Sequence, residues 1–137
     1  MRLQNTGCGT ATGAALAFVA GFVDAAAFIA LTGLFTAHVT GNFVLIGAEL
    51  VARSTGVLAK LLALPVFVGA VAGARVLALL LERQGRAPLP WLLAVELGLL
   101  AGFGLCGTLA APLGAADGAP AIAVGMLAVA AMGLQNA

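Results

Sequence analysis

Five polar side chains that could do chemistry interrupt the apolar segments of this chain. They are Asp24, His38, Asn42, Arg75 and Glu96. Carboxylate, imidazole, amide and guanidinium groups can exchange protons, pair with ions or hydrogen-bond a small solute. Inside a membrane each such group is costly unless it faces a partner or water, so the set indicates either ion pairs or a binding site.

The composition indicates that these side chains do lie in a membrane. Of the 137 residues, 63% are hydrophobic and 8% are charged, whereas a soluble domain is about 45–50% apolar and about 25% charged. The mean hydropathy is +1.17. The sequence therefore predicts an integral membrane protein whose main partner is the lipid bilayer. A net charge of +1 without a basic stripe excludes nucleic acid as an expected partner.

Apolar runs of about 20 residues predict the elements that must position these side chains. We predict an all-α, polytopic transmembrane helical bundle of about four spans plus a truncated fifth, in a single domain over residues 1–137. Because the chain ends inside an apolar run, we expect an incomplete, carboxy-terminally truncated version of a longer fold. The segments are Ala11–Leu31, Phe35–Val51, Val57–Leu81, Trp91–Ala111 and Ala121–Leu134.

The second segment is the shortest, and its length leaves open whether it spans the membrane or re-enters on its own side. Lys and Arg residues in short loops set the orientation. If the segment spans, Arg2 shares a side with Arg53 and Lys60. If it re-enters, Arg2 shares a side with Arg83 and Arg86 instead. In both alternatives three cations, Arg2 among them, lie on one side of the membrane and two on the other. Both therefore favour a cytoplasmic amino terminus.

Spacing predicts which polar residues lie at the same depth. Asp24 and Asn42 are each nine residues from the Gly33 turn, so both are expected about 13 Å deep on facing helices. His38, Asn42 and Glu49 fall within about 40° of one another on a helix. One face of the second segment is therefore polar, with Glu49 expected near the opposite surface. If every segment spans, Arg75 joins the same half of the membrane as Asp24.

Two interpretations of this layer remain open. In the first, Arg75 pairs with Asp24 or Glu96 as a structural ion pair, while His38 and Asn42 only hydrogen-bond between helices. In the second, the layer binds a solute or a proton between helices, as in transporters. Thr40 and Gly41 beside Asn42 are a plausible point of local unwinding. The candidate binding layer is Asp24, His38, Thr40, Gly41, Asn42, Arg75 and Glu96.

Pairs of glycines four residues apart predict close helix packing. Gly69 with Gly73 and Gly98 with Gly102 have this spacing, which lets helix backbones approach in lipid. We expect these glycines to pack helices within the bundle. The same faces could also support a homo-oligomer.

Metal, cofactor and enzyme chemistry are not expected. One histidine and two scattered cysteines do not form a recognisable metal-ligand set. No Ser/His/Asp or Cys/His spacing indicates a nucleophile. We therefore predict no metal, no cofactor and no enzymatic activity.

Several short strings resemble one family. They comprise Gly21-Phe22-Val23-Asp24-Ala25, then Phe35, then Thr40-Gly41-Asn42, and finally Gly133-Leu134-Gln135-Asn136-Ala137. An aspartate in the first span, a T-G-N segment soon after it and a late Q-N-A string resemble the YoaK-like family of multi-pass bacterial inner-membrane proteins. The resemblance covers the chain from about Leu16 onward. It implies a bacterial inner-membrane location and a longer fold, and it implies no particular substrate.

Two of these strings also suggest an internal repeat. Residues 21–25 and 133–137 share the pattern G-x-x-[D/N]-A. If three membrane spans lie between the two strings, the helices that carry them run parallel. If the second segment re-enters, only two spans lie between them and the helices run antiparallel. Transporter folds use both arrangements. We therefore favour a small-solute or ion transporter-like protein, with a non-transporting scaffold or modulator that acts through its glycine-rich faces as the alternative.

Overall fold

The computed structural model describes residues 6–137, with side chains from Gly9 onward. Five helices make up most of this part of the chain, and none of the described residues forms a strand. The predicted all-α bundle is confirmed. The helices are α1 (Thr6–Ala30), α2 (Val39–Ala52), α3 (Val57–Arg83), α4 (Leu89–Leu109) and α5 (Ala119–Gln135).

The helix lengths and the outer surface both indicate contact with lipid. Helices α1, α3 and α4 are long and apolar enough to cross a membrane, whereas α2 and α5 are shorter apolar helices. Large apolar side chains point outward, including Ile29 at 81% exposure and Val51 at 88%. A surface this apolar is stable in a bilayer and not in water.

Helix α5 is the centre of the bundle. It packs against α1, α3 and α4. Its residues Ala128, Val129, Ala131 and Met132 are fully buried. A helix that is apolar on every side is expected at such a central position.

Hydrogen bonds between helix ends show how the helices run. Asp117, just before α5, accepts from the backbone N–H groups of Gly56 (2.8 Å) and Ala59 (3.1 Å) at the start of α3, so α3 and α5 start together and run parallel. At the far end of α5, Gln135 Nε2 donates to the Leu16 carbonyl of α1, so α1 runs antiparallel to α5. We call the end where α1 finishes and α3 and α5 begin the Asp117 end. The opposite one is the Arg83 end.

Because α1 finishes at the Asp117 end and α3 begins there, the segment between them starts and finishes on one side. Helix α1 closes with the Gly33 N–H bonded to the Phe28 carbonyl at 2.8 Å. The chain then turns back along α1, where the Phe35 ring lies 4.7 Å from the Phe28 ring and Thr36 reaches Asp24. The second segment therefore re-enters, and the full-span alternative is wrong.

Helix α2 rises from this buried point back to the start of α3. Its first residue is Val39 and not Phe35, because residues 35–38 are held in a non-helical conformation by side chains described below. Among the described helices it packs only against α3. Three helices, α1, α3 and α4, have the length and composition of membrane spans. The two G-x-x-[D/N]-A strings lie on α1 and at the end of α5, which run antiparallel.

The predicted glycine packing is wrong for three of the four positions within this chain. A Cβ at Gly69, Gly73 or Gly98 would meet no atom within 4 Å, while one at Gly102 would touch Leu127 at 3.7 Å. Close approach instead occurs on α5. A Cβ at Gly133 would lie 2.7 Å from the Ala70 Cβ and 2.9 Å from the Phe67 carbonyl oxygen of α3.

Replacing Gly133 by alanine is therefore expected to force α3 and α5 apart and to destabilise the bundle by about 1–3 kcal/mol. The matched control is Gly73→Ala, which adds the same methyl group to open space and should be neutral or slightly stabilising, since alanine favours a helix over glycine. Thermal unfolding of both variants in detergent measures the difference. Equal melting temperatures would contradict the close approach at Gly133.

Candidate functional site

Asp24 organises the point where the chain re-enters. Its Oδ1 accepts hydrogen bonds from the Thr36 N–H (2.6 Å), the Ala37 N–H (2.8 Å) and the Thr36 hydroxyl (3.1 Å). Asp24 is 5% exposed and lies six residues before the end of α1, or about 9 Å along the helix. An acceptor at this place satisfies backbone N–H groups just before α2 that would otherwise be unpaired in an apolar setting.

His38 contacts the second oxygen of the Asp24 carboxylate, Oδ2. Its Nδ1 lies 2.8 Å from Asp24 Oδ2. The imidazole side chain is 74% exposed and is the N-terminal cap residue of α2. One ring nitrogen is therefore held by Asp24, while the rest of the ring remains outside the packed core.

Asn42 fixes the same loop from the helix side. Its Oδ1 accepts from the Phe35 N–H at 2.9 Å, and its Nδ2 donates to the Phe35 carbonyl at 2.8 Å. Gly41 allows the Phe35 ring to lie against α2, since a Cβ there would come within 3.0 Å of the ring. Thr40 is exposed on the opposite side of this turn. The T-G-N string thus starts the helix instead of unwinding it.

A groove lies between α1 and the start of α2. Its volume is about 630 Å³, which is within the usual range for small-molecule sites. Its polar lining comes from Asp24 and His38. The remaining lining residues are Gly21, Ala25, Phe28, Ile29, Phe35 and Gly41. The groove is therefore an apolar cleft, and the imidazole of His38 is held in a fixed orientation at its polar end.

Arg75 and Glu96 are not part of this site. Arg75 is exposed and donates to the Ala137 carbonyl at 3.3 Å, near the end of α5 that also contacts Leu16. Because the second segment re-enters, α3 runs opposite to the direction expected for an all-spanning chain. Arg75 and Glu96 therefore belong to the Arg83 end, and the predicted single polar layer is divided between two levels. Neither residue forms an ion pair among residues 9–137.

Glu96 is buried on the side of α4 that faces α5. It is 6% exposed, and its carboxyl group makes no hydrogen bond to another described residue. The neighbouring positions on the same face, Leu99, Leu100 and Phe103, pack against the core of α5. Its environment is therefore apolar packing and not the groove.

A second polar cluster, which the sequence interpretation missed, ties the other end of α2 to α3. Lys60 Nζ donates to Glu49 Oε1 at 2.7 Å, and the lysine is 2% exposed. Gly56, with φ of +117°, lets the chain pass over this pair. Glu49 thus lies at the Asp117 end and not at the opposite surface. The signal that could have found the pair is the 11-residue separation of two opposite charges across a Gly-containing turn.

Comparison with known families gives one match. A family model described as "Protein of unknown function (DUF1275)" matches residues 12–137. The chain belongs to the DUF1275 family. No curated protein and no solved structure matches it. The match contains the whole re-entrant site as well as the late Q-N-A string.

In this DUF1275 chain the Q-N-A residues lie at the end of α5, at the Arg83 end of the bundle. Gln135 links α5 to α1 through the Leu16 carbonyl at 2.6 Å. Asn136 Nδ2 donates to the Met132 carbonyl at 2.8 Å within its own helix end. The motif residues of the family resemblance therefore divide into two groups, one that builds the groove and one that closes the far end of α5.

Proposed function

We propose that this chain acts as a small-solute or ion transporter-like protein of the bacterial inner membrane, with the groove between α1 and α2 as its binding site. The observation that carries the proposal is the start of α2, where the buried Asp24 carboxylate holds the exposed His38 imidazole at the edge of an apolar bundle. Transporters commonly bind their substrates where a helix begins within the membrane, because its terminus can face the ligand. No enzymatic role is proposed.

The antiparallel placement of the two related strings supports this function. Helix α1 carries Asp24 and helix α5 leads to Asn136, and the two helices run in opposite directions. Inverted repeats of this kind recur among secondary transporters, which bind substrate near the repeat interface. The finer assignment to the YoaK-like group rests on the same strings and is part of this proposal.

We further propose that the amino terminus is cytoplasmic. Arg83 ends α3 and Arg86 follows in the α3–α4 loop, both at the Arg83 end, from which α1 starts. Arg2 precedes α1 in the sequence. At the Asp117 end, Lys60 is buried against Glu49 and leaves Arg53 as the exposed cation of the described residues there. The excess of free cations favours the Arg83 end as the cytoplasmic side. The groove then lies closer to the periplasmic surface.

A scaffold or modulator that pairs through its glycine faces is the second candidate. Gly69 and Gly73 are exposed, and a Cβ at either would meet open space. Small residues four apart on an outward face can let another transmembrane helix approach closely. A second copy of the chain is one such partner. A scaffold does not need a groove that is open to water, whereas a transporter does. Water access to the groove therefore distinguishes the two functions.

Cysteine accessibility tests the two functions together. In a background with Cys8→Ser and Cys106→Ser, Ala25→Cys places a thiol in the groove, and Val76→Cys places a matched thiol on the lipid-facing surface of α3. A charged, membrane-impermeant thiol reagent is expected to label Ala25→Cys from the periplasmic side and to leave Val76→Cys unlabelled. Ser54→Cys reports the side of the Asp117 end.

The reagent could label Ser54→Cys and fail to label both Ala25→Cys and Val76→Cys. That result would indicate a groove closed to water. The transporter function would then be abandoned in favour of the scaffold. Labelling of Ser54→Cys from the cytoplasm would reverse the proposed orientation and leave the groove assignment unchanged.

A further inference from the structure

The groove contains one polar side chain that is widely exposed, the imidazole of His38. Asp24 is less available to a ligand, since its Oδ1 accepts three hydrogen bonds, its Oδ2 contacts His38 and its side chain is 7% exposed. A cation in the groove would have to compete with two backbone N–H groups for this carboxylate. His38 has no such restriction at its second nitrogen, Nε2. Recognition in the groove therefore centres on His38.

The contacts of Asp24 decide which nitrogen of His38 carries the proton. Two backbone N–H groups and a hydroxyl that donate to Asp24 Oδ1 stabilise the ionised form of this carboxylate, and an ionised carboxylate can only accept. The Nδ1 atom must then donate to Asp24, which leaves Nε2 with a lone pair in the neutral ring. His38 thus presents a proton acceptor at the polar end of the groove.

The charges around His38 restrict what can bind there. Among the described residues, Asp24 on α1 is the titratable group in contact with the ring, while Glu49 on α2 is paired with Lys60. A free anion would place a second negative charge beside Asp24. A neutral acid that transfers its proton on arrival avoids that cost, because its carboxylate then faces an imidazolium.

The walls of the groove define the rest of the ligand. Phe28, Ile29 and Phe35 line it with apolar surface, and the two phenylalanine rings lie 4.7 Å apart at their centroids. Gly21 and Ala25 keep the α1 side shallow. Such a surface favours an apolar or aromatic body over a sugar or a polar peptide.

We propose that the groove binds a monocarboxylic acid with an apolar body, and that His38 takes the proton of that acid. This inference rests on the proposed function and names its substrate class. The O–H bond of the acid breaks, and its proton goes to Nε2. The products are a carboxylate and an imidazolium joined by an Nε2–H hydrogen bond, with Nδ1–H still on Asp24. The total charge of the groove is the same before and after the step.

Two sources could supply this chemistry. A water-soluble aromatic acid would enter from the aqueous side, and a fatty acid would enter from the bilayer, with the same carboxyl group meeting His38. Benzoic acid and oleic acid represent the two sources. Benzamide is the neutral control for benzoic acid, because it has nearly the same shape and no acidic O–H.

The chain has one histidine, so ¹⁵N-histidine labelling reports this site alone. In lipid nanodiscs, benzoic acid is expected to move the Nε2 resonance from the position of an unprotonated nitrogen to that of a protonated one. Benzamide is expected to leave it in place. A response to oleic acid but not to benzoic acid would support the same inference with the bilayer as the source.

Variants of His38 separate binding from folding. His38→Asn keeps a donor toward Asp24 and lacks Nε2, and it is expected to weaken benzoate binding by at least about tenfold, the usual cost of one lost charged hydrogen bond. His38→Gln is a second variant should the first fail to fold. Thr108→Ala on α4 lies outside the groove and is expected to bind as the parent does. Unchanged benzoate affinity in a folded His38 variant would overturn the inference.

An Nε2 resonance that neither acid moves would also overturn it. If Ala25→Cys is water-accessible in that case, the proposed function survives without this class of substrate. If Ala25→Cys is inert as well, the proposed function fails together with the inference.

Discussion

Replacing Asp24 by alanine is expected to release residues 35–38 from α1 and to lower the free energy of unfolding by about 3 kcal/mol or more. The substitution leaves the Thr36 and Ala37 N–H groups without their acceptor. Each buried group left unpaired costs about 1–3 kcal/mol. Unfolding of the purified protein in mixed detergent micelles measures the loss, and proteolysis within residues 32–38 measures the release.

The matched control is Asp24→Asn, which keeps an oxygen in the place of Oδ1. That oxygen can still accept from Thr36 and Ala37, so a clearly smaller loss of stability is expected. The new amide would face His38 Nδ1 as a donor and drive the ring proton to Nε2. Equal destabilisation by alanine and asparagine would contradict the assigned hydrogen bonds.

Arg75 provides a further check on Asp24. A structural ion pair between them would make Asp24→Asn strand a buried cation, and adding Arg75→Gln would restore stability. The structure instead bonds Arg75 to the Ala137 carbonyl. We therefore expect the double variant to recover none of the loss. Recovery would show that the two side chains interact.

The sequence predicted the helical class and identified Asp24, His38 and Asn42 as related residues, because apolar length and helical spacing are local properties. It left the second segment open between spanning and re-entry. The deciding interactions are hydrogen bonds that Asp24 accepts from residues 12–14 positions later. Bonds between a side chain and a loop backbone leave no periodic pattern in the sequence.

Because the sequence does not show these loop contacts or which helix faces meet, it also misplaced other residues. The expected layer placed Arg75 with Asp24 only for the alternative in which every segment crosses the membrane. The return of the second segment to the Asp117 end gives α3 the opposite direction. Glycine spacing predicted contact at Gly69 and Gly73 but could not say which side of α3 faces α5. The contact occurs at Phe67 and Ala70, opposite Gly133.

The outer end of α2 depends on Lys60, and Lys60→Met is expected to destabilise the protein by about 3–5 kcal/mol. The substitution leaves the Glu49 carboxylate partly buried without its cation, and breaking a buried pair on one side typically costs this much. Arg53→Met removes an exposed cation from the same turn and should change stability by no more than about 0.5 kcal/mol. The double variant Lys60→Met with Glu49→Leu should recover most of the loss, since both charges are then gone.

The loss is expected to be confined first to α2, because α3 is the one described helix that packs against it. Amide hydrogen exchange should therefore rise over residues 39–52 in Lys60→Met, while α5, which is packed against three helices, stays protected. Asp117 still caps the first turn of α3 in this variant, so α3 is expected to remain in place. Faster exchange in α5 with unchanged exchange in α2 would contradict this expectation. It would mean that the ion pair stabilises the whole bundle and not the end of α2 that contains Glu49.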